Sequence, residues 1–419
     1  MTPFDQIDRW GDRSIDLKSP YLTTHLITYL GNKRSLLPLL KDGFDKVRGE
    51  LHNPKMVCLD GFSGSGCVSR LLKNYASVLH SNDLEPYTET INKCYLTYIS
   101  DVNMTEIRKQ IELLNQHKLC KSRGIIESLY SPKDDTNIQN GERVFYTNQN
   151  AKIIDDARQR IEKLPTKLQP FCLAPLLVKA SIHVNTSGVF KGFHKNRMGI
   201  GQFGGESKVA LQRICQEIVL EVPILSDVNC EVNVHRKDIN KLVKDLPDVD
   251  LAYYDPPYNQ HPYGSNYFML NVINSYEKPE EISSVSGIPK SWNKSDYNKR
   301  VIAEQAMENL IDETPAKFIL ISYNNEGIIP LSNFASLLKK FGSVELMTQE
   351  YNTYRGSRNL RDRSIKTQEF LWILKKGKSQ KYNKELQRKL DEILNKDNEE
   401  KGFSLMDSVL VDDGETFGD

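Results

Sequence analysis

The sequence lacks the features that would mark a membrane, secreted or zinc-binding protein. No stretch is apolar over the length needed to cross a bilayer. The segment 1–19 mixes acidic and basic side chains and holds no apolar core of the kind that secretory signals need. None of the seven cysteines stands in a C-x-x-C pair or in a Cys/His spacing typical of zinc. We therefore expect a cytoplasmic protein with reduced cysteines, and nothing in the sequence implies a metal.

A strong net charge is also missing. Lysine and arginine number 56 against 55 acidic residues, which gives a formal net charge of +1. The whole molecule therefore offers no general attraction for a polyanion, and any surface for nucleic acid must be local. The length of 419 residues exceeds one ordinary domain of roughly 100–200 residues. We expect one complete domain and a second, smaller unit.

Short apolar runs that end in glycine or polar residues recur along the chain. They are typical of parallel strands that are buried on both faces and followed by helices. The predicted strands are 56–59, 78–82, 232–235, 251–254 and 318–323, with a helix over 67–73. Two further strands, 344–351 and 367–374, are predicted to form an antiparallel pair. This alternation predicts an α/β fold with a doubly wound sheet.

A long segment, 96–229, separates the second and third predicted strands and exceeds the length of a βα crossover. It predicts an inserted, mainly helical domain with helices over 153–164 and 170–183. The sheet domain would then comprise 1–95 and 230–375. A charged C-terminal extension would occupy 376–419. In it Leu386, Leu390, Ile393 and Leu394 follow helical spacing, and the acidic tail after them is expected to be peripheral.

The strongest chemical signal is Asp255-Pro-Pro-Tyr258, directly after the predicted strand 251–254. Open α/β sheets bind ligands at this end of their strands. The two prolines lock the backbone and leave the Pro256 carbonyl free to accept a hydrogen bond, and Asp255 supplies a second acceptor. Two acceptors can bind both hydrogens of an exocyclic amine and draw its nitrogen toward a nucleophilic, tetrahedral geometry. Tyr258 offers a face on which an extruded base can stack. The alternative is an ordinary strand-ending turn.

A glycine loop, Asp60-Gly-Phe-Ser-Gly-Ser-Gly66, follows the first predicted strand and precedes a helix. Glycines allow a ligand to approach the backbone closely, and the helix start presents unpaired N–H groups. The spacing differs from G-x-G-x-x-G and so argues against a nicotinamide dinucleotide. At the end of the next strand, Asp83 can accept hydrogen bonds from ribose hydroxyls, although a helix N-cap explains it equally well.

Four segments in this order resemble the motifs of Dam-like adenine-N6 DNA methyltransferases, including those of restriction–modification systems. They are Tyr29-Leu-Gly-Asn-Lys33, the glycine loop, Asn82-Asp83 and Asp255-Pro-Pro-Tyr258. The resemblance implies a Rossmann-like methyltransferase sheet and S-adenosylmethionine as the cofactor. It also implies direct, in-line methyl transfer to N6 of an adenine that is flipped out of duplex DNA. The catalytic residues would be Asp255, Pro256, Pro257 and Tyr258.

The same resemblance assigns the cofactor site. The residues it places beside S-adenosylmethionine are Tyr29, Lys33, Asp60, Phe62, Gly64, Gly66, Asp83 and Asp238. The glycine loop would line the pocket for the methionine part, Asp83 would hold the ribose and Asp238 would face the adenine. The Lys33 ammonium could pair with the methionine carboxylate, whereas a solvated lysine at a helix start is the alternative.

Two basic clusters are predicted to contact DNA. The first combines Lys191, His194, Lys195 and Arg197 with Phe190 and Phe193, in a loop that could meet phosphates and wedge into a duplex. The second contains Arg355, Arg358, Arg361 and Arg363, between the last two strands, and could contact phosphates or guanine. The alternatives are a solvated loop and a charged hairpin tip. We place the reading of the DNA sequence in the insertion.

Other functions stay open at this point. The same chemistry serves methylation of cytosine N4, where serine more often stands at the position of Asp255, and of exocyclic amines in RNA. A DNA-binding regulator that kept the fold without catalysis is a further alternative. We expect double-stranded DNA as the partner, a monomeric enzyme, and a cognate restriction endonuclease as a separate protein.

Overall fold

The computed structural model describes residues 14–117, 123–206, 208, 210–257, 259–325, 327–352, 366–379 and 383–395. Within these residues, seven strands form one sheet: β1 (Met56–Asp60), β2 (Ala76–Asp83), β3 (Glu231–Arg236), β4 (Val249–Tyr254), β5 (Ala316–Asn324), β6 (Gly342–Asn352) and β7 (Lys366–Lys376). Each of them contains a strand predicted from the sequence. The doubly wound α/β prediction is therefore confirmed.

Helices connect the strands, and in the described part of the chain none is both long and apolar enough to cross a membrane. They are α1 (Pro20–Thr23), α2 (Leu37–Leu51), α3 (Cys67–Leu72), α4 (Pro86–Tyr95), α5 (Met104–Asn115), α6 (Ile125–Tyr130), α7 (Asn148–Ile161), α8 (Gln169–Ile182), α9 (Leu211–Cys215), α10 (Ile239–Leu242), α11 (Tyr263–Asn266), α12 (Phe268–Ser275), α13 (Ala303–Glu313), α14 (Leu331–Lys339) and α15 (384–395). Short 3-10 turns lie at Lys33–Leu36, Ile99–Asp101 and Asp296–Asn298.

The strand order is β3-β2-β1-β4-β5-β7-β6. The first five strands in this order are parallel, and β7 runs antiparallel to both β5 and β6, as the sequence predicted for the last pair. The chain leaves β1 toward β2 and β3, and then returns to place β4 on the other side of β1. This reversal opens a crevice at the carboxyl ends of β1 and β4, where ligands of such sheets bind.

Both faces of the sheet are covered, because successive side chains of a strand point to opposite faces. On β4, Ala252 and Tyr254 belong to the apolar cluster under α10, α13 and α14, whereas Leu251 and Tyr253 belong to the cluster under α2 and α3. These residues are fully buried. Burial on both faces explains why the parallel strands appear in the sequence as continuous apolar runs.

Helix α15 lies where the sequence shows helical spacing, and the acidic tail that is expected to be peripheral lies outside the described residues. Leu386, Leu390 and Ile393 are buried, and they join the same apolar cluster as α13 and α14. Their helical spacing therefore marks a packed face. The described part of the extension covers the core of the sheet.

The insertion folds into helices, including α7 and α8 where the sequence predicted them. Its apolar residues share one cluster with the helices that follow β2 and β4: Ile154 and Leu177 from the insertion pack with Ile91 of α4 and Leu270 of α12. The insertion is thus joined to the sheet by a common core. The predicted domain boundaries at 96 and 229 stay a prediction.

Candidate active site

A cleft opens at the carboxyl ends of the strands and encloses roughly 690 Å³, counting space open to solvent. Small-molecule sites commonly span about 300–1,000 Å³, so a nucleoside-sized ligand fits. Six of the predicted site residues line it: Tyr29, Phe62, Asp83, Asp238, Asp255 and Pro257. The rest of the lining comes from Gly61, Asn82, Leu84, Glu85, Lys237, Ile239, Tyr263, Asn293, Ser295, Tyr297 and Asn298.

The glycine loop packs against Tyr29, one of the residues that line the cleft. Gly64 and Gly66 have φ angles of +49° and +74°, a conformation that residues with a Cβ rarely adopt. A Cβ at Gly64 would lie 2.8 Å from the ring of Tyr29, and one at Gly66 would lie 2.2 Å from the side-chain oxygen of Asn92. Only glycine lets the loop pack this closely against Tyr29, which itself lines the cleft.

Asp83 fixes the glycine loop to the end of β2. Its carboxylate accepts hydrogen bonds from the backbone N–H of Gly64 at 2.8 Å and of Glu85 at 2.9 Å. Burial raises the pKa of this carboxyl, and the backbone N–H groups oppose that rise. A carboxylate has about four lone-pair positions, so Asp83 can still accept from a ligand in the cleft.

The first residue of the loop, Asp60, is fully buried and does not line the cleft. Ser69 Oγ donates to its carboxylate at 2.6 Å, and burial raises the pKa of Asp60 to about 7. Phe62, in contrast, lines the cleft and packs edge-on against Tyr297. Within the loop the structure therefore brings Phe62 to the ligand space and leaves Asp60 beneath it.

Asp238 occupies the N-cap of α10, where its side chain accepts from the backbone N–H of Lys241. It also lines the cleft, beside the end of β2, where Asn82 donates to the carbonyl of the neighbouring Lys237 at 3.1 Å. The structural role as an N-cap and the predicted role beside a cofactor adenine are therefore compatible in this fold.

The turn after β4 brings Asp255 and Pro257 into the wall of the cleft, and Pro256 is buried behind them. The Asp255 side chain is 18% exposed. Burial raises the pKa of Asp255 to about 6, a change that Lys33 opposes and Glu369 reinforces. Tyr258, the last residue of the predicted catalytic motif, lies outside the described residues.

Lys33 contacts the catalytic motif directly. Its Nζ lies 3.0 Å from Asp255 Oδ1 and 2.8 Å from Glu369 Oε1. Because two carboxylates already hold this ammonium, the predicted pairing with a methionine carboxylate would compete with both. Glu369 was missed in the sequence, since it belongs to no motif and meets Lys33 only through the fold.

Stacked tyrosines join the N-terminal motif to the segment after the catalytic motif. The ring of Tyr29 stacks on Tyr263 at 5.0 Å and on Tyr267 at 4.8 Å between centroids. The backbone of Leu30 donates to Tyr267 Oη at 2.7 Å and accepts from Tyr263 Oη at 3.1 Å. Tyr267 is fully buried and supports the cleft, whereas Tyr263 lines it.

The segment between α12 and α13 forms a wall that the sequence did not reveal. Asn293 donates to the Leu84 carbonyl at 3.1 Å, and Asn298 donates to the Asn259 carbonyl at 2.8 Å. This wall carries no motif, because its residues matter through their position alone. Glu85 was also missed, although it stands close after Asp83 in the sequence and could have been noticed.

The first predicted DNA cluster lies on an ordered loop that is docked beside the catalytic turn. Lys191 Nζ lies 3.1 Å from Nδ1 of His261, and the backbone N–H of Phe190 donates to the Asn266 carbonyl at 2.7 Å. Phe190 is only 2% exposed and packs in the core of this structure, and the expectation that the loop wedges into a duplex stays a prediction.

The charged side chains of this cluster face outward, and Arg197 is 89% exposed. Lys195 lies over the ring of Phe193, and His194 is partly buried. The second cluster, with Arg355, Arg358, Arg361 and Arg363, lies outside the described residues. Both clusters stay predicted DNA contacts.

This fold, with a nucleoside-sized cleft that ends at an Asp-Pro-Pro turn, defines a Rossmann-like methyltransferase. Residues 29–332 match the family described as D12 class N6 adenine-specific DNA methyltransferase. Because the match spans more than half of the chain, the protein belongs to this family. It is a site-specific, adenine-N6 DNA methyltransferase, and the predicted resemblance is confirmed.

Several enzymes of restriction–modification systems are similar to this chain. Type II methyltransferase M.NlaIII of Neisseria lactamica is 29% identical over 360 residues, which are 84% of this chain and 99% of the relative. Modification methylase LlaI of Lactococcus lactis subsp. lactis is 28% identical over 366 residues, 83% of this chain and 55% of the relative. Type II methyltransferase M.CviAII of Paramecium bursaria Chlorella virus 1 is 27% identical over 339 residues, 78% and 93% of the two chains.

Proposed function

We propose that the cleft holds S-adenosylmethionine. Its volume suits a nucleoside cofactor, and the residues predicted for ribose and adenine, Asp83 and Asp238, both line it. When bound, the cofactor supplies a methyl group that its sulfonium sulfur makes electrophilic. Phe62 would contact it from the glycine loop.

Asp255 and Pro256 would hold the target amine. Adenine N6 is a poor nucleophile because its lone pair is delocalised into the ring. The Asp255 carboxylate and the Pro256 carbonyl would accept its two N–H hydrogens and draw the nitrogen toward a tetrahedral geometry. With a pKa of about 6, Asp255 is largely ionised at neutral pH and can accept. Hydrogen bonds of this kind are strengthened in a buried site with fixed acceptors.

The target adenine must leave the DNA stack to reach Asp255, because an enzyme cannot reach the reacting atom of a base inside a duplex. We propose that the insertion recognises the DNA sequence, and that Lys191, His194, Lys195 and Arg197 contact phosphates beside the catalytic turn. Tyr258 would stack on the flipped base. The arginines of the second cluster, Arg355, Arg358 and Arg361, would add contacts from the segment between β6 and β7.

The similarity to modification enzymes supports a role in protecting DNA against a cognate restriction endonuclease, which would act as a separate protein. We further propose that the enzyme works as a monomer in the cytoplasm. DNA modified by the enzyme should then resist cleavage by that endonuclease at the methylated sequence.

A single observation carries the proposal: Asp255, the acceptor for the amine, shares one cleft with Asp83 and Asp238, the residues suited to a nucleoside. The test is to incubate the protein with labelled S-adenosylmethionine and unmethylated DNA, and to identify the modified base by mass spectrometry and its context by sequencing. N6-methyladenine in one fixed short sequence is expected. Label in N4-methylcytosine, or in RNA with none in DNA, would contradict the proposal.

A further inference from the structure

A lysine lies between two carboxylates at the catalytic turn. Lys33 Nζ bridges Asp255 Oδ1 at 3.0 Å and Glu369 Oε1 at 2.8 Å. The side chains of Lys33 and Glu369 are only 4% and 1% exposed. The proposed chemistry uses Asp255 alone, so the other two charges need an explanation.

The charge of Glu369 is energetically unfavourable at its buried position. Glu369 is itself only 1% exposed, and Phe370, Leu371 and Trp372, which follow it in β7, are fully buried, so position 369 belongs to the core. Removing a charge from water costs several kcal/mol, which a partner offsets only in part. Lys33 and Asp255 could neutralise each other without Glu369. Local rules that are broken in this way are expected at functional sites.

We propose that Glu369 is a positioning residue of the active site. It holds the Lys33 ammonium, and Lys33 in turn fixes Oδ1 of Asp255. The second carboxylate oxygen of Asp255 then keeps its charge and can accept a hydrogen bond from the amine. The proposal rests on the role proposed for Asp255. Without Glu369, Lys33 would pair with Asp255 alone and would neutralise the acceptor. With Glu369, the three groups together carry a net negative charge, which stabilises the positive charge that develops on N6 as it takes up the methyl group.

Four charged or titratable groups face Asp255. Lys33 comes from the 3-10 turn before α2, Glu369 from β7, Asp60 from the end of β1 and Tyr253 from β4 itself. The Tyr253 hydroxyl is bound to Ser322 Oγ at 2.8 Å, and burial raises its pKa well above the usual value, so it stays neutral. Lys33 lowers the pKa of Asp255 and Glu369 raises it. Removing one or the other should therefore move the titration of Asp255 in opposite directions.

The experiment measures the single-turnover rate of methyl transfer in the full chain from about pH 5 to about pH 9, with saturating cofactor and duplex DNA. Glu369→Gln keeps the shape of the side chain and leaves Lys33 paired with Asp255. We expect its maximal rate to fall about tenfold or more, which corresponds to about 1.4 kcal/mol. The acid limb of the pH–rate profile, where the rate falls as Asp255 becomes protonated, should move to lower pH. Lys33→Met should move the acid limb to higher pH. Glu369→Asp should recover part of the rate.

Glu345→Gln is the matched control. Glu345 lies on β6, next to β7, but its side chain is 51% exposed and pairs with Lys46 on the surface. This variant should keep the rate and the acid limb of the unmodified enzyme. Melting curves verify that every variant is folded, and if Lys33→Met is unfolded, Glu369→Gln alone carries the test.

Two outcomes would overturn the proposal. One is a Glu369→Gln enzyme with an unchanged rate and acid limb. The other is a Glu369→Gln enzyme in which the rate and the cofactor affinity fall by the same factor while the acid limb of the pH–rate profile does not move. That result would show that Glu369 has a structural role only. Failure of the underlying assignment has a different signature: Asp255→Asn would then retain both the rate and the acid limb.

Discussion

Replacing Asp255 with asparagine should reduce the rate of methyl transfer by roughly 10²–10³ while leaving the affinity for S-adenosylmethionine nearly unchanged. Asparagine has the same shape, and its amide oxygen can still accept one hydrogen bond. What it loses is the charge, and a hydrogen bond to a charged group contributes about 1.5–3 kcal/mol against about 0.5–1.5 kcal/mol for a neutral one.

That difference alone accounts for about a tenfold loss in rate. The remainder follows from the site, because Asp255 is only 18% exposed and no bulk water replaces its charge as N6 becomes cationic. Lys33 would still be paired with Glu369 at 2.8 Å, so the substitution leaves no buried charge without a partner. We therefore expect the folded structure to persist. Asp255→Ala, which removes the acceptor altogether, should lose more of the rate than Asp255→Asn.

The assay is single-turnover transfer of a labelled methyl group to duplex DNA, together with calorimetric titration of the cofactor. Asp250→Asn is the matched control, since Asp250 lies at the opposite end of the same strand, has a comparable exposure of 13% and pairs with Lys317. It should keep the full rate. Near-normal turnover in both Asp255 variants would refute the reasoning.

Two further predictions concern the cofactor and the DNA. Gly64→Ala should weaken cofactor binding, measured by calorimetry, about tenfold. The reason is that a left-handed backbone costs about 1–2 kcal/mol in a residue with a Cβ, and the new Cβ would collide with Tyr29. Gly377→Ala is the control and should leave this affinity unchanged, because its Cβ would meet nothing within 4 Å. Lys191→Gln should lower the slope of log affinity against log salt by about 1 if it contacts a phosphate, whereas Lys340→Gln, at the far edge of the sheet, should not. Equal slopes would remove Lys191 from the interface.

The strands could be predicted because each contains a short apolar run that ends in glycine or polar residues. Burial on both faces makes the runs 251–254 of β4 and 318–321 of β5 apolar, so a local pattern is sufficient to identify them. The cleft residues Asp83 and Asp255 were found for a related reason. They directly follow strands, and the carboxyl ends of parallel strands meet at one edge of the sheet.

The contacts between distant segments could not be predicted. Glu369 directly precedes the buried residues Phe370, Leu371 and Trp372 of β7, and only the fold brings it to Lys33. Asn298 belongs to a segment without a motif and reaches the cleft through a hydrogen bond to the Asn259 carbonyl. The helical spacing in 386–394 indicated the apolar face of α15, but spacing alone does not show that this face packs with α13 and α14.

The buried carboxylates of the cleft predict a preference for a cationic ligand. Burial raises the pKa of Glu85 to about 7 and that of Asp255 to about 6, and both line the cleft. A bound cation stabilises their ionised forms, so its affinity should rise as the pH increases through this range. S-adenosylmethionine carries a sulfonium charge that S-adenosylhomocysteine lacks, and the two ligands otherwise titrate alike.

The ratio of their affinities should therefore increase between about pH 5.5 and about pH 8, in favour of S-adenosylmethionine. Calorimetric titration of both ligands without DNA measures this ratio independently of turnover. In Glu85→Gln the increase should be smaller, because one of the two titrating carboxylates is gone while its contact with Asn271 can persist. A ratio that stays constant with pH would mean that neither carboxylate interacts with the sulfonium charge. Binding of the cofactor would then depend on the glycine loop, Asp83 and Asp238 alone.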